Sequence, residues 1–420
     1  MEKLSVVGES ISRVDALGKA LGKERYSTDI KVPRMLHAKV YRSPYPSAEI
    51  IDIDISKALT ISGVRCIVTS RDAPKELWGI LIKDRAIFPA KRVRYIGEPV
   101  AAVAAESLEA AEEAVELINV RYKELPAVFD VEEAASTCPH GILHPEFAKY
   151  EKVVPPARLD PSRPNVFSHM KVRKGDVEDG FKESDLIISN RFNALPIQHC
   201  SLEPHSVVVC PEVNGGLTIL SGRQDIWGLR GRISEVFNIE ASKIRIIQKY
   251  VGGAFGGKLS PMELIPTLLA LKTKRPVKWV FTREEVFIDG GQRESMVIYI
   301  KDGVKKDGKL VARKIQAFLN GGAYEGMIGI VNKNCSYGAI AVYDVPNLTF
   351  DSYGVYTNEQ PRSPFRGFGN PQIVWAIESS MDILSHELGI DPMELRKVNI
   401  LNEGEENTIG EIIHSIGAND

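Results

Sequence analysis

The chain has 420 residues, of which 44% are hydrophobic and 26% charged, with a formal net charge of -2. That length exceeds one ordinary core and predicts two or more domains. The near-neutral charge excludes an electrostatic footprint for nucleic acid or an anionic membrane. No apolar run reaches the roughly 18 residues of a bilayer span. The opening MEKLSVVGESISRVD has no apolar signal core, so the expected location is the cytoplasm.

Residues 1–20 are polar and predicted to run extended. Strand-like segments come next: LHAKVYRS, then EIIDIDIS with alternating apolar and polar residues, then VRCIVTS. GEPVAAVAAES reads as a buried strand. SLEAAEEAVELI places Leu108, Ala111, Ala114, Val115 and Ile118 at helical spacing, with Ser107 as N-cap. VRYKELPAVFD returns to extended chain. Residues 1–135 therefore read as a mixed α/β domain. Residues 136–165 carry Pro139, Pro145, Pro155, Pro156, Pro161 and Pro164, and read as a linker, because proline breaks helix and ladder alike.

Residues 166–420 read as a second domain. Its strands are DLIISNRF, HSVVVCPE, GLTILSG, KIRIIQKYV, VKWVFT, ESMVIYIK and KIQAFLN. Its helices are ISEVFNI, PMELIPTLLALKT and PQIVWAIESSMDILSHELGI, the last with Asn370 as N-cap and Pro371 at the first helical position. The cysteines at 66, 138, 200, 210 and 335 form no C-x-x-C pair, which argues against a cluster or structural zinc. They read as reduced residues, most of them in the core. His199 and His205 lack a third ligand at metal spacing.

Four segments could carry chemistry. In KYVGGAFGGKLSPME, four glycines flank Phe255 between a strand and a helix. Glycine lets a backbone approach a ligand, and consecutive N–H groups cradle anions. A plain Gly-rich hairpin is the competing reading. Gly252 to Lys258 has P-loop spacing, yet Leu259 stands where a magnesium-binding hydroxyl is needed. In SPFRGFGNPQ, Gly367 and Gly369 bracket Phe368 before a helix, a place from which a ring can stack on a flat ligand. Arg366 offers donors to an anion. In SGRQDIWG, Gln224 ends a strand, where a neutral amide is more often a solvated loop residue. In IQHCSLEPHSVVV, Glu203 is a candidate base, though a paired carboxylate is commoner. Physical reading stops at an α/β protein suited to a large, planar, anionic ligand.

Together and in this order, the four motifs resemble the molybdopterin subunit of the xanthine dehydrogenase and aldehyde oxidase family, along essentially the whole chain. GKERYSTDI, LHAKVYRSP and VRYIGEPVAAVAAES resemble its α/β hammerhead domain. The chain from NVFSHMKVRKGDVEDGF onward resembles the first half of its molybdopterin-binding domain, so the implied class is α/β (α+β). The resemblance implies that Gly252, Gly253, Ala254, Phe255, Gly256 and Gly257 lie against the pterin and the metal. It implies that Gln224 hydrogen-bonds an oxygen ligand of molybdenum, that the Arg366 backbone contacts the cofactor, and that Phe368 holds an aromatic substrate. Leu259 stands where purine oxidisers usually carry glutamate, which puts purine recognition in doubt.

No carboxylate matches the family's catalytic glutamate. That general base is expected on a partner subunit carrying the second half, alongside an FAD subunit and a [2Fe-2S] iron–sulfur subunit. The implied cofactor is molybdopterin, as the cytosine dinucleotide, with a terminal sulfido or selenido ligand. The implied reaction hydroxylates an electron-poor heteroaromatic carbon with water-derived oxygen, nicotinate to 6-hydroxynicotinate with NADP as acceptor, as in members whose molybdopterin subunit is split. Alternatives are conversion of an aldehyde, carbon monoxide, a purine or a 4-hydroxybenzoyl-CoA ester, or a non-catalytic cofactor-binding role.

Overall fold

The computed structural model describes residues 5–154, 159–340 and 342–418. Pro155 and Pro156 of the expected linker lie outside them. The described elements form a seven-stranded, a five-stranded and a three-stranded sheet.

The seven-stranded sheet mixes distant parts of the chain. Its order runs Ile244–Gln248, Leu217–Ser221, Ser206–Pro211, Val277–Val280, Leu36–Arg42, Pro99–Ala105, Val64–Thr69. Leu36–Arg42 is the hinge of this order. It pairs antiparallel with Pro99–Ala105 and parallel with Val277–Val280, where Leu36 faces Val277. One sheet thus joins the segment read as the first domain to the segment read as the second. All seven residues of Pro99–Ala105 are buried, as expected for a strand covered on both faces. Leu108–Glu116 packs beside it, capped by the Ser107 hydroxyl, which accepts from the Ala110 N–H at 3.1 Å. Behind the sheet lies Leu264–Thr273, buried from Leu264 to Ala270. Pro266 sits in the first turn of this helix, where its missing N–H costs nothing.

The five-stranded sheet runs Val166–Lys174, Asn347–Tyr356, Leu310–Gly322, Met296–Val304, Leu186–Ala194. Helices Ile328–Ile340 and Asn370–Leu388 cover it and close the larger core. A buried ion pair ties sheet to helix. Arg313 Nε lies 2.6 Å from Asp302 Oδ1, and the Ser380 hydroxyl donates to Asp302 Oδ2 at 2.7 Å. The described residues of 136–165 run along this body with His144 and Leu143 buried.

Several expectations change at this level. The end of the N-terminal segment expected to be extended forms a short helix, Ala16–Ala20. The helix placed at ISEVFNI spans Ile226–Phe237 and is capped by Asp225, directly after Gln224. Gly228 and Gly231 hide its first two turns in the sequence. The N-cap of Asn370–Leu388 is Gly369, at φ 85°, and Asn370 is already helical; a left-handed residue is needed there to turn the chain. The helix expected from Pro261 begins at Leu264 after a short turn at Gly257–Leu259. Only Cys335 of the five cysteines is buried.

Candidate functional site: two glycine loops that meet

The Gly-rich loop leaves the strand Ile244–Gln248 at the end of the seven-stranded sheet. Its Phe255 has φ 53°, and Phe368 of the second loop has φ 50°. A bulky side chain in the left-handed region costs about 1–3 kcal/mol and persists only where the surroundings impose it. Both phenylalanines singled out in the sequence are therefore strained. Phe255 is 49% exposed. Phe368 is half-buried and packs against the larger core.

Most of the loop's glycines are crowded by protein. A Cβ on Gly252 would stand 2.4 Å from Glu203 Cβ, one on Gly256 1.9 Å from the Pro364 carbonyl oxygen, and one on Gly257 2.8 Å from His199 Nδ1. The two loops are sewn together at this seam. The Arg366 N–H donates to the Phe255 carbonyl at 3.0 Å, and the Ser363 hydroxyl to the Gly256 carbonyl at 2.8 Å. His199 donates through Nε2 to Pro364 O at 2.9 Å, and His205 through Nε2 to Gly257 O at 3.0 Å. Burial holds His199 down to about 4 and lowers His205 as well. These imidazoles are neutral clasps for backbone carbonyls.

Gln224 is exposed at the start of Ile226–Phe237. Its Oε1 accepts the Gly256 N–H at 3.1 Å. A backbone N–H can only donate, so the amide is fixed with its NH₂ free to donate outward. The chain around it is held by Arg223, whose Nη1 meets Glu263 Oε2 at 2.8 Å and whose Nη2 donates to Leu259 O at 2.8 Å. Arg366 is exposed, and its carbonyl accepts from Arg293 Nη2 at 2.7 Å. Arg293 also donates to Gln372 Oε1 at 3.1 Å, and Gln372 donates to Glu294 Oε1 at 2.7 Å. Burial raises Glu294 to about 7. Leu259 lines a cavity with Trp78, Ile80, Met327 and Arg362.

The folding thus brings Gln224, Phe255 and Arg366 to one exposed seam. Glu203 is a paired carboxylate, the commoner of its two readings: its Oε2 lies 2.7 Å from Lys258 Nζ. Lys258 is thereby turned inward, which removes the P-loop reading physically. Among the described residues no group of three or more His, Cys, Asp or Glu could hold a metal ion. What the seam offers is an outward amide donor, an exposed guanidinium, an exposed ring and a backbone in left-handed turns, a set that fits a planar anionic cofactor carrying its own metal ligands. Arg223 and Arg293 were not singled out in the sequence: Arg223 sits beside Gln224 in SGRQDIWG, but its partners Glu263 and Leu259 lie 40 and 36 residues on, and no motif marks Arg293.

Residues 21–126 match the profile of the "Aldehyde oxidase and xanthine dehydrogenase, a/b hammerhead domain", and residues 159–400 that of the "Molybdopterin cofactor-binding domain". The chain is 37% identical over 411 residues to a probable xanthine dehydrogenase subunit of Bacillus subtilis, covering 97% of this chain and 52% of that protein. It is 32% identical over 415 residues to the nicotinate dehydrogenase large molybdopterin subunit of Eubacterium barkeri, covering 98% of this chain and 93% of the relative. Its fold matches the aldehyde oxidoreductase of Desulfovibrio gigas with a TM-score of 0.85 at 27% identity, over 95% of this chain and 44% of that one. Quinoline 2-oxidoreductase of Pseudomonas putida 86 matches with a TM-score of 0.84 at 26% identity, over 96% of this chain and 52% of that one. The chain spans about half the length of the Bacillus relative and of both solved chains.

Proposed function

This chain belongs to the aldehyde oxidase and xanthine dehydrogenase family, and from that premise we propose that it forms the cofactor-seating half of a cytoplasmic molybdenum hydroxylase. When bound, the molybdopterin cofactor supplies the activated oxygen and accepts the electron pair released by the substrate. The residues here bind and orient. Gln224 would hold the metal end of the cofactor through its NH₂, which the Gly256 N–H leaves free to donate. The backbone of Gly252–Gly257 would lie against the pterin, with the Arg366 backbone beside it. Phe368 forms one wall for a flat substrate, and Leu259 adds an apolar side chain to the cavity it shares with Trp78 and Met327. The proton-accepting glutamate comes from outside these residues, either from a longer form of the chain or from a partner, as do the FAD and [2Fe-2S] centres.

The observation that carries this reading is the locked orientation of the Gln224 amide on the Gly-rich loop. For the substrate we favour nicotinate, hydroxylated beside its ring nitrogen with NADP as acceptor. The support is the similarity to a nicotinate dehydrogenase subunit along nearly its full length. Purine oxidation is the second reading, favoured by the higher identity to the Bacillus protein. Native purification from the source cells, with molybdenum assayed and co-purifying chains sized, tests the proposal. Molybdenum together with nicotinate turnover supports it, and xanthine turnover moves it to the second reading. A chain that purifies free of metal and cofactor overturns it.

A further inference from the structure

We propose that Glu203 is a positioning residue that sets the shape of the Gly-rich loop before any cofactor arrives. Its carboxylate holds both ends of the loop. Oε2 accepts the Gly252 N–H at 2.9 Å where the loop begins and meets Lys258 Nζ at 2.7 Å where it ends. Oε1 accepts the Ser27 hydroxyl at 2.8 Å, from a segment 176 residues away in the chain. The Glu203 N–H in turn donates to the Gly252 carbonyl at 3.0 Å. Glu203 and Lys258 are buried, at 8% and 4% exposure.

The surroundings are cut to fit this carboxylate. A Cβ on Gly222 would lie 3.1 Å from Glu203 Oε2, and a Cβ on Gly252 would overlap Glu203 Cβ. Gly222 and Gly252 thus make room for Glu203. Arg283 fastens the turn that presents it, donating to Ser201 O at 2.7 Å and Leu202 O at 3.2 Å. The loop in turn carries the Gly256 N–H that orients Gln224, and the Gln224 N–H returns to Lys258 O at 3.2 Å. Moving Lys258 moves both. A buried carboxylate with three donors is a stiff anchor, and removing one member of a buried ion pair leaves an uncompensated charge.

The effect on cofactor seating rests on the function proposed above; the effect on loop shape does not. Amide hydrogen exchange on the full chain reads the second directly. Glu203→Ala and Lys258→Met are each expected to speed exchange at Gly252 and Gly256 about tenfold or more, with the strand Pro99–Ala105 unchanged. Pairing Glu203→Gln with Lys258→Met removes both charges and is expected to restore most of the protection, which a general loss of packing would not do. Should the single variants not fold, Ser27→Ala removes one donor and is expected to speed exchange at Gly252 roughly twofold to fivefold. Molybdenum retained after desalting of the native complex is expected to fall in parallel. Unchanged loop exchange in the variants, or faster exchange spread evenly over the seven-stranded sheet, overturns the inference. Faster loop exchange in a protein whose native form carries no molybdenum leaves Glu203 as the anchor and defeats the cofactor reading instead.

Discussion

The two loops that meet at the Phe255 carbonyl are built on opposite electrostatic plans. The Gly-rich loop is fixed from beneath by a buried ion pair, Glu203 with Lys258. The Arg366–Gly369 loop rests on Arg293, whose second partner, Gln372, leans on a carboxyl that burial raises to about 7. One loop is held by a buried salt bridge, while the other stands on a group that burial brings to about neutral pH. Rigidity is thus placed at the loop that carries Phe255, and responsiveness at the loop that carries Phe368.

The largest effect is expected from the crowding that joins the loops. Gly256→Ala would force a Cβ against a backbone carbonyl at φ 105°, and should cost about 3 kcal/mol or more in chemical denaturation. Gly369→Ala is also strained, at φ 85°, but meets the Cys335 sulfur at 2.5 Å where Gly256→Ala meets a backbone oxygen at 1.9 Å, and should cost less. Equal losses would remove the distinction between the two loops.

The titrating carboxyl comes next. Its folded value lies above its ordinary value of 4.5, so its contribution is complete below 4.5 and is lost as pH rises through about 7. The stability of the wild-type chain relative to Glu294→Gln should therefore fall by about 2–3 kcal/mol between pH 4.5 and pH 8. A flat difference would mean that Glu294 is ionised throughout.

A smaller effect is expected at the substrate wall. Phe368→Ala should raise KM about tenfold, equivalent to about 1.4 kcal/mol, and leave molybdenum content unchanged; loss of both together would reject the stacking role. The smallest effect on folding belongs to Gln224. Its side chain is exposed, so Gln224→Ala should shift stability by less than about 0.5 kcal/mol, while turnover and the molybdenum spectrum change.

How much the sequence reveals depends on how local each signal is. Ser107 capping Leu108–Glu116 and the apolar run of Pro99–Ala105 are local patterns, and both are legible. The glycine-bracketed phenylalanines are legible as motifs because glycine is conspicuous, although five of the six bracketing glycines, all but Gly253, are crowded by a protein neighbour. Helix Ile328–Ile340 is not legible. It buries Asn332 and Ser336 along with its apolar residues, so it shows no clean polar face. Ser27 is invisible as a site residue because its partner lies 176 residues on. Glu203 stands out in its motif, but its pairing with Lys258 emerges only from the path of the loop.

The hinge strand Leu36–Arg42 carries a consequence for biosynthesis. One of its two neighbours, Val277–Val280, leaves the ribosome some 240 residues after it. At about 5–20 residues per second, that interval lasts on the order of tens of seconds. Throughout it, the nascent N-terminal strands carry an open, apolar edge of the kind that recruits stray strands. A holding chaperone during translation, or slow codons placed after the second strand arrives, would bear directly on the yield of folded protein.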